Sequence, residues 1–169
     1  PLDAPLKNAG FEEGKTAPFG WKQVGGAKSK WVNSPVKSGK KAVAVSDAPE
    51  GRFSGWMTEY PVRPDRKYVF GGYVKGGDLN PNGFIGGGAL QLQFVDSNGN
   101  VLGKPVTSKA VGTRTDWTKV ETTPVQPPAN AVIARLVAGM NYCNGTAWFD
   151  DLYILAQPAA MKDEVLLQS

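Results

Sequence analysis

Two short acidic segments stand near opposite ends of the chain, Asn8-Ala-Gly-Phe-Glu-Glu-Gly14 and Gly145-Thr-Ala-Trp-Phe-Asp-Asp-Leu152. The first is a turn-rich entry to a strand and carries Glu12 and Glu13; the second reads as a strand with Asp150 and Asp151 in its middle. A carboxylate inside β-structure costs free energy unless something pairs with it. Acids at both ends therefore imply that the termini meet, with a cation between them or salt bridges to nearby lysines.

The chain has no histidine. That removes the commonest general base and zinc ligand, and with them Ser-His-Asp and Cys-His catalysis. Glycosidase chemistry needs two carboxylates across a cleft. The adjacent pairs Glu12-Glu13 and Asp150-Asp151 do not supply this, because neighbours on a strand point to opposite faces. A split pair such as Glu59 with Asp78, or a lyase-type Tyr73, Lys75 and Arg135, is the remaining catalytic alternative. Gly86-Gly-Gly88 lacks the Lys-Ser/Thr of a phosphate loop. The reading is of a protein that is not an enzyme.

A length of 169 residues is that of one domain able to bury a core. No apolar run approaches the ~20 residues of a membrane helix, and nothing resembles a nucleic-acid motif. No membrane and no nucleic-acid partner is expected. Lys28, Lys30, Lys37, Lys40 and Lys41 lie close in sequence, but the net charge is only +4. A solvated basic face is the plain reading, and attraction to an anionic glycan or other polyanion is the alternative. The single Cys143 precludes an internal disulfide and reads as a small buried apolar residue. The chain begins at Pro1 without a signal peptide, as expected of a processed protein or excised module.

The elements that must position these residues are strands. Period-2 alternation marks 42–46, 53–62, 68–74, 89–94, 101–102, 117–125, 132–138 and 147–155, within a set of about ten. Segments 53–62 and 68–74 are expected to form a hairpin, and 76–88 an inserted Gly-rich loop. The fold class is all-β, a sandwich of two antiparallel sheets. Its domain spans 1–156, followed by a linker or tail over 157–169, in which Met161 to Leu167 reads as a helical turn or an added tail.

Alternation also sorts faces. Tyr68, Phe70 and Val74 share one face, Leu90, Leu92 and Phe94 another, and Val132, Ala134, Leu136 and Ala138 a third, all toward the core. Tyr73, Gln91, Gln93 and Arg135 then lie outward. A glutamine amide donates and accepts at once, which suits vicinal sugar hydroxyls.

Several motifs in order resemble carbohydrate-binding modules of families 4, 9, 16 and 22, family 16 most of all. They are Asn8-x-Gly-Phe-Glu-x-Gly14, Gly20-Trp21, Ser38-Gly-Lys-Lys-Ala42, Val62-x-Pro64, Tyr68-x-Phe-x-x-Tyr-Val-Lys75, Asp116-Trp-Thr118 and Gly145-Thr-Ala-Trp-Phe-Asp-Asp-Leu152. The resemblance covers about residues 6–156. It implies a galactose-binding-like jelly roll, a monomeric module of a larger secreted bacterial glycoside hydrolase or polysaccharide lyase. Its partner would be a β-glucan, mannan or xylan, with an anionic glycan such as alginate left open. The resemblance further implies a structural Ca2+ held by Glu12, a Lys41 carbonyl, and Asp150 or Asp151. It implies a sugar site in which Trp21 stacks a ring, Tyr142 opposes it, Gln91 and Gln93 bond hydroxyls, and Tyr73 or Arg135 assists. Trp31 and Trp56 are lesser stacking candidates, and Trp117 and Trp148 read as core or edge packing. The alternative is a non-glycan adhesion domain, which would show a flat apolar patch instead of converging rings and amides.

Overall fold

The computed structural model describes residues 3–159. Ten strands follow in order: β1 (Lys22–Val24), β2 (Lys28–Val32), β3 (Ala42–Ala48), β4 (Ser54–Pro61), β5 (Arg66–Pro81), β6 (Ala89–Val95), β7 (Val101–Thr107), β8 (Arg114–Glu121), β9 (Ile133–Met140) and β10 (Cys143–Pro158). They form two five-stranded antiparallel sheets, here sheet I (β1-β4-β9-β6-β7) and sheet II (β2-β3-β10-β5-β8). The chain is thus the all-β, two-sheet sandwich that its alternation predicts. The described residues contain no helix.

The core is the meeting of the two inner faces. Leu90, Leu92, Ala134, Leu136 and Trp56 of sheet I face Val43, Val45, Phe70, Val74 and Phe149 of sheet II, and all are buried. Each large apolar side chain so placed contributes about 1.5–3 kcal/mol relative to exposure. Leu90, Leu92 and Phe94 point inward as expected, and so do Tyr68, Phe70 and Val74. Val132 does not: it precedes β9 and is exposed.

Two expectations about connectivity fail. β4 and β5 are no hairpin, since β4 pairs with β1 and β9 while β5 pairs with β10 and β8. The Pro-containing link between them crosses from one sheet to the other. Alternation states which side of a strand is apolar; it carries no information on which apolar partner lies beside it. Nor is 76–88 wholly a loop, because β5 runs on to Pro81 and pairs with β10 as far as Cys143. At the other end β10 reaches Pro158, opposite Arg66, so the expected tail begins inside the strand. The helical turn expected over 161–167 lies outside the described residues.

The N-terminal motif closes the sandwich. Asn8, at φ 49°, uses its amide to donate to the carbonyls of Glu13 and Phe19 (both 2.8 Å) and to accept from the Glu13 N–H. This staples a tight loop that drives Phe11 into the core, and the Leu152 N–H donates to the Ala9 carbonyl at 3.0 Å. The N-terminal motif and the last strand do meet.

Candidate functional site

The outer face of sheet I brings together three of the expected residues. Across the sheet, Gln91 on β6 stands opposite Val137 on β9, then Met57 on β4, then Lys22 on β1. One step along, Gln93 stands opposite Arg135, and Arg135 opposite Glu59. These side chains, with Val24, Arg52 and Phe53, line a trough of about 340 Å³. Arg135 Nε donates to Glu59 Oε2 at 3.4 Å, which neutralises the guanidinium in part. Gln91 Nε2 donates to Thr107 Oγ1 at 3.2 Å, leaving its carbonyl oxygen toward solvent. The Gln93 amide has no protein partner among the described residues and is only half-buried. Two amides and a paired ion thus offer both donors and acceptors, the set a polyhydroxylated chain requires.

Toward the loops the next row is Val24, Gly55, Gly139 and Ala89, poor in side chain. Beyond it, at the same end of the sandwich, lie two exposed rings. Tyr142 follows β9 and is 37% exposed, and its carbonyl accepts from the Asn82 N–H at 2.8 Å. Phe84, in the loop before β6, is fully exposed. At the opposite flank the trough adjoins a larger one of about 770 Å³, with Lys22, Met57 and Glu59 common to both.

The remaining expected residues are elsewhere. Trp21 touches that larger trough but is 5% exposed: its ring packs 4.9 Å from Phe11, and Nε1 donates to the Asn8 carbonyl. The Gly20-Trp21 step delivers the indole inward to cover the N-terminal loop. Tyr73 is on β5 in sheet II, so it faces away from the glutamines across the thickness of the sandwich. The four outward residues therefore do not share one face. Trp56 is buried with Nε1 on the Ala44 carbonyl, and Trp31 spends its Nε1–H on the Phe11 carbonyl. Met57 is absent from the sequence reading, and Glu59 enters it only as half of a catalytic pair; alternation against Trp56 and Tyr60 marks both as outward-facing.

The acidic ends require a correction. Glu12 accepts from the Lys40 and Lys41 N–H groups at 2.8 and 3.1 Å. Asp150 accepts from the N–H groups of Lys37 (2.9 Å) and Ser38 (3.3 Å), and Asp151 accepts from the Ser38 hydroxyl. Among the described residues no group of three or more acidic, His or Cys side chains is placed to hold a metal ion. The expected Ca2+ clasp is thus overturned: calcium takes about six to eight oxygens, whereas these carboxylates are met by N–H and O–H donors. Lys41 presents its N–H to Glu12, and its ammonium lies 4.2 Å from the Trp31 ring centroid. The clasp is a hydrogen-bonded one. Gly39 permits it, since φ is +67° and a Cβ there would lie 2.6 Å from the Glu12 carboxylate.

Asp150 and Asp151 also fail to diverge as strand neighbours should. A register shift between Asp150 and Tyr153, with Asp151 at φ 49°, turns both toward the same loop. Burial pushes the Asp150 carboxyl up to about 6, against the lowering effect of the Lys37, Ser38 and Asp151 N–H groups. Burial likewise pushes the Cys143 thiol up, as befits an inert core residue.

No protein-family model matches the sequence, and no curated protein sequence matches it. Solved structures do match. The CBM22-1 xylan-binding domain from Paenibacillus barcinonensis superposes with a TM-score of 0.64 at 20% identity, over 90% of this chain and 94% of that one. The CBM22-1–GH10 modules of the Clostridium thermocellum N-terminal endo-1,4-β-D-xylanase 10B, complexed with xylohexaose, give 0.63 at 17% identity, over 92% of this chain and 29% of that one. The enzymatically active domain of bacteriophage CBA120 tailspike protein 4 gives 0.67 at 12% identity, over 90% and 21%. At these identities the likeness is one of fold. The chain has the β-sandwich fold of carbohydrate-binding modules, and the CBM22 type, not family 16, recurs among the similar structures.

Proposed function

We propose that this chain is a non-catalytic carbohydrate-binding module, nearest in kind to CBM22, that holds a polysaccharide on the outer face of sheet I and directs an attached secreted bacterial enzyme to it. The observation that carries the reading is the convergence of Gln91, Gln93 and the Arg135–Glu59 pair in one trough. The amides bond hydroxyls, Met57 and Val137 give the apolar floor, and Tyr142 is an exposed ring beyond the loop end of the trough that a longer chain would reach. The glycan class favoured is a neutral β-linked plant polymer, xylan foremost, because xylan is what two of the similar modules are described with. The domain runs at least through Pro158, the end of β10.

Direct titration of the chain with soluble xylan, β-glucan and mannan tests this. Binding without shortening of the polymer is the expected result. Absence of binding to every neutral polysaccharide, or affinity unchanged after Gln91→Ala with Gln93→Ala, would sink it.

A further inference from the structure

The opposite outer face, that of sheet II, has a different chemistry. Trp148 on β10 stands opposite Lys75 on β5 to one side and, through Ala44, in line with Lys30 on β2 to the other. A Cβ placed on Gly77 would lie 3.0 Å from the Trp148 ring, so the outer edge of the indole packs against that glycine, and the side chain as a whole is half-exposed. One row along, about 7 Å away by strand geometry, Tyr73 stands opposite Lys119 on β8. The Lys37 ammonium sits 4.7 Å from the Tyr73 ring centroid. Lys119 likewise lies 5.6 Å from the Tyr153 ring centroid, so rings hold two of the ammonium groups on this face.

The charge on this face is largely unopposed. Lys28 pairs with Asp47 at 3.7 Å, and Glu121 is engaged by the Tyr153 hydroxyl. Lys30, Lys37, Lys75 and Lys119 have no carboxylate within ion-pair distance among the described residues. Asp150 is buried beneath the 37–38 loop and occupied by its N–H groups. On sheet I the central cation, Arg135, is paired with Glu59, and Lys22 and Arg52 lie toward the edge of the trough.

We propose that this second face is a separate binding surface for an anionic polysaccharide of the uronate class, with Trp148 as the stacking platform and Lys30, Lys75 and Lys119 as carboxylate partners. A flat ring beside isolated ammonium groups matches a sugar that carries one carboxylate. Lysine ammonium groups meet single carboxylates as point charges, and the chain's net charge is only +4; an RNA control separates carboxylate from phosphate. This goes beyond the sheet I reading and stands on different residues.

The test is affinity of the full chain for polygalacturonate at low ionic strength, with neutral xylan and single-stranded RNA as controls. Polygalacturonate should bind, weaken as salt is added, and lose about tenfold or more in affinity in Lys30→Gln with Lys75→Gln. That variant should melt as the parent does and keep its affinity for the neutral glycan, whereas Gln91→Ala with Gln93→Ala should keep polygalacturonate binding. Absence of polygalacturonate binding, equal loss in the glutamine variant, or tighter binding of RNA overturns the proposal.

Discussion

The two outer faces of the sandwich are built by the same alternation and end with opposite character. On sheet I, two amides and an arginine paired with Glu59 line a trough with an apolar floor, and Lys22 and Arg52 stand at its edge. On sheet II, lysines without carboxylate partners stand beside Trp148 and Tyr73. Binding of an uncharged chain depends on matched donors and acceptors at short range, whereas attraction of a charged chain acts at longer range and is screened by salt. One domain can hold both surfaces because the core between them isolates their side chains.

The largest expected effect concerns what lies behind sheet I. Trp21→Ala should destabilise the fold by about 3–5 kcal/mol, as large aromatic truncations in a core do, read as a lower midpoint in denaturant. Trp21→Phe should keep most of the stability and all of the glycan affinity. A folded Trp21→Phe protein that no longer binds would move this ring from core to trough and enlarge the sheet I site.

Next comes the loop that caps one end of sheet II. The Asp150 carboxyl, pushed up to about 6 in the fold, sits above its ordinary 3.8. The native state therefore holds the proton more tightly than the unfolded chain. The corresponding stability is fully present below about pH 4 and is lost as pH rises toward about 6, by about 3 kcal/mol. Denaturation across that window should show the slope in the parent and a flatter one in Asp150→Asn. Identical slopes in the two would show that this carboxyl is not the buried acid described.

Gln91→Ala with Gln93→Ala should cost about 1–3 kcal/mol in binding a neutral β-glycan, the loss of a few hydrogen bonds, with the melting temperature unchanged. Calorimetry on both variant sets sharpens the contrast between the faces: each set should affect one ligand class only. Smallest of all is the salt dependence. Neutral-glycan affinity should move little between low and high salt, because the ligand carries no charge to be screened. A steep salt dependence there would erase the distinction.

Much of the fold was legible. Leu90, Leu92 and Phe94 alternate with Gln91 and Gln93, and the inside–outside assignment of that strand needed no neighbour. Gln91, Gln93 and Arg135 were legible as outward residues by the same rule, and they do share a trough. Trp21 was not legible as buried, because a tryptophan after a turn glycine reads alike whether it swings out or in. Its direction depends on Phe11 and Asn8, which await it through a long-range contact. Asp150 and Asp151 misled for a local reason: a bulge with positive φ at a non-glycine residue has no clear sequence signature.

By itself, the sequence determined that the chain is all-β, that histidine-based catalysis is absent, and which side of each strand is apolar. These follow from composition and from the two-residue period, which are properties of single segments. Only the tertiary structure decided that β4 and β5 part to different sheets, which takes Tyr73 away from the glutamines and brings Glu59 beside Arg135. Only it decided that the acids at the two ends are satisfied by the N–H and O–H groups of the 37–41 loop instead of a metal ion. Strand partners and buried donors are chosen by contacts between segments far apart in the chain, where many pairings satisfy the same alternation and the packing of the whole core selects one.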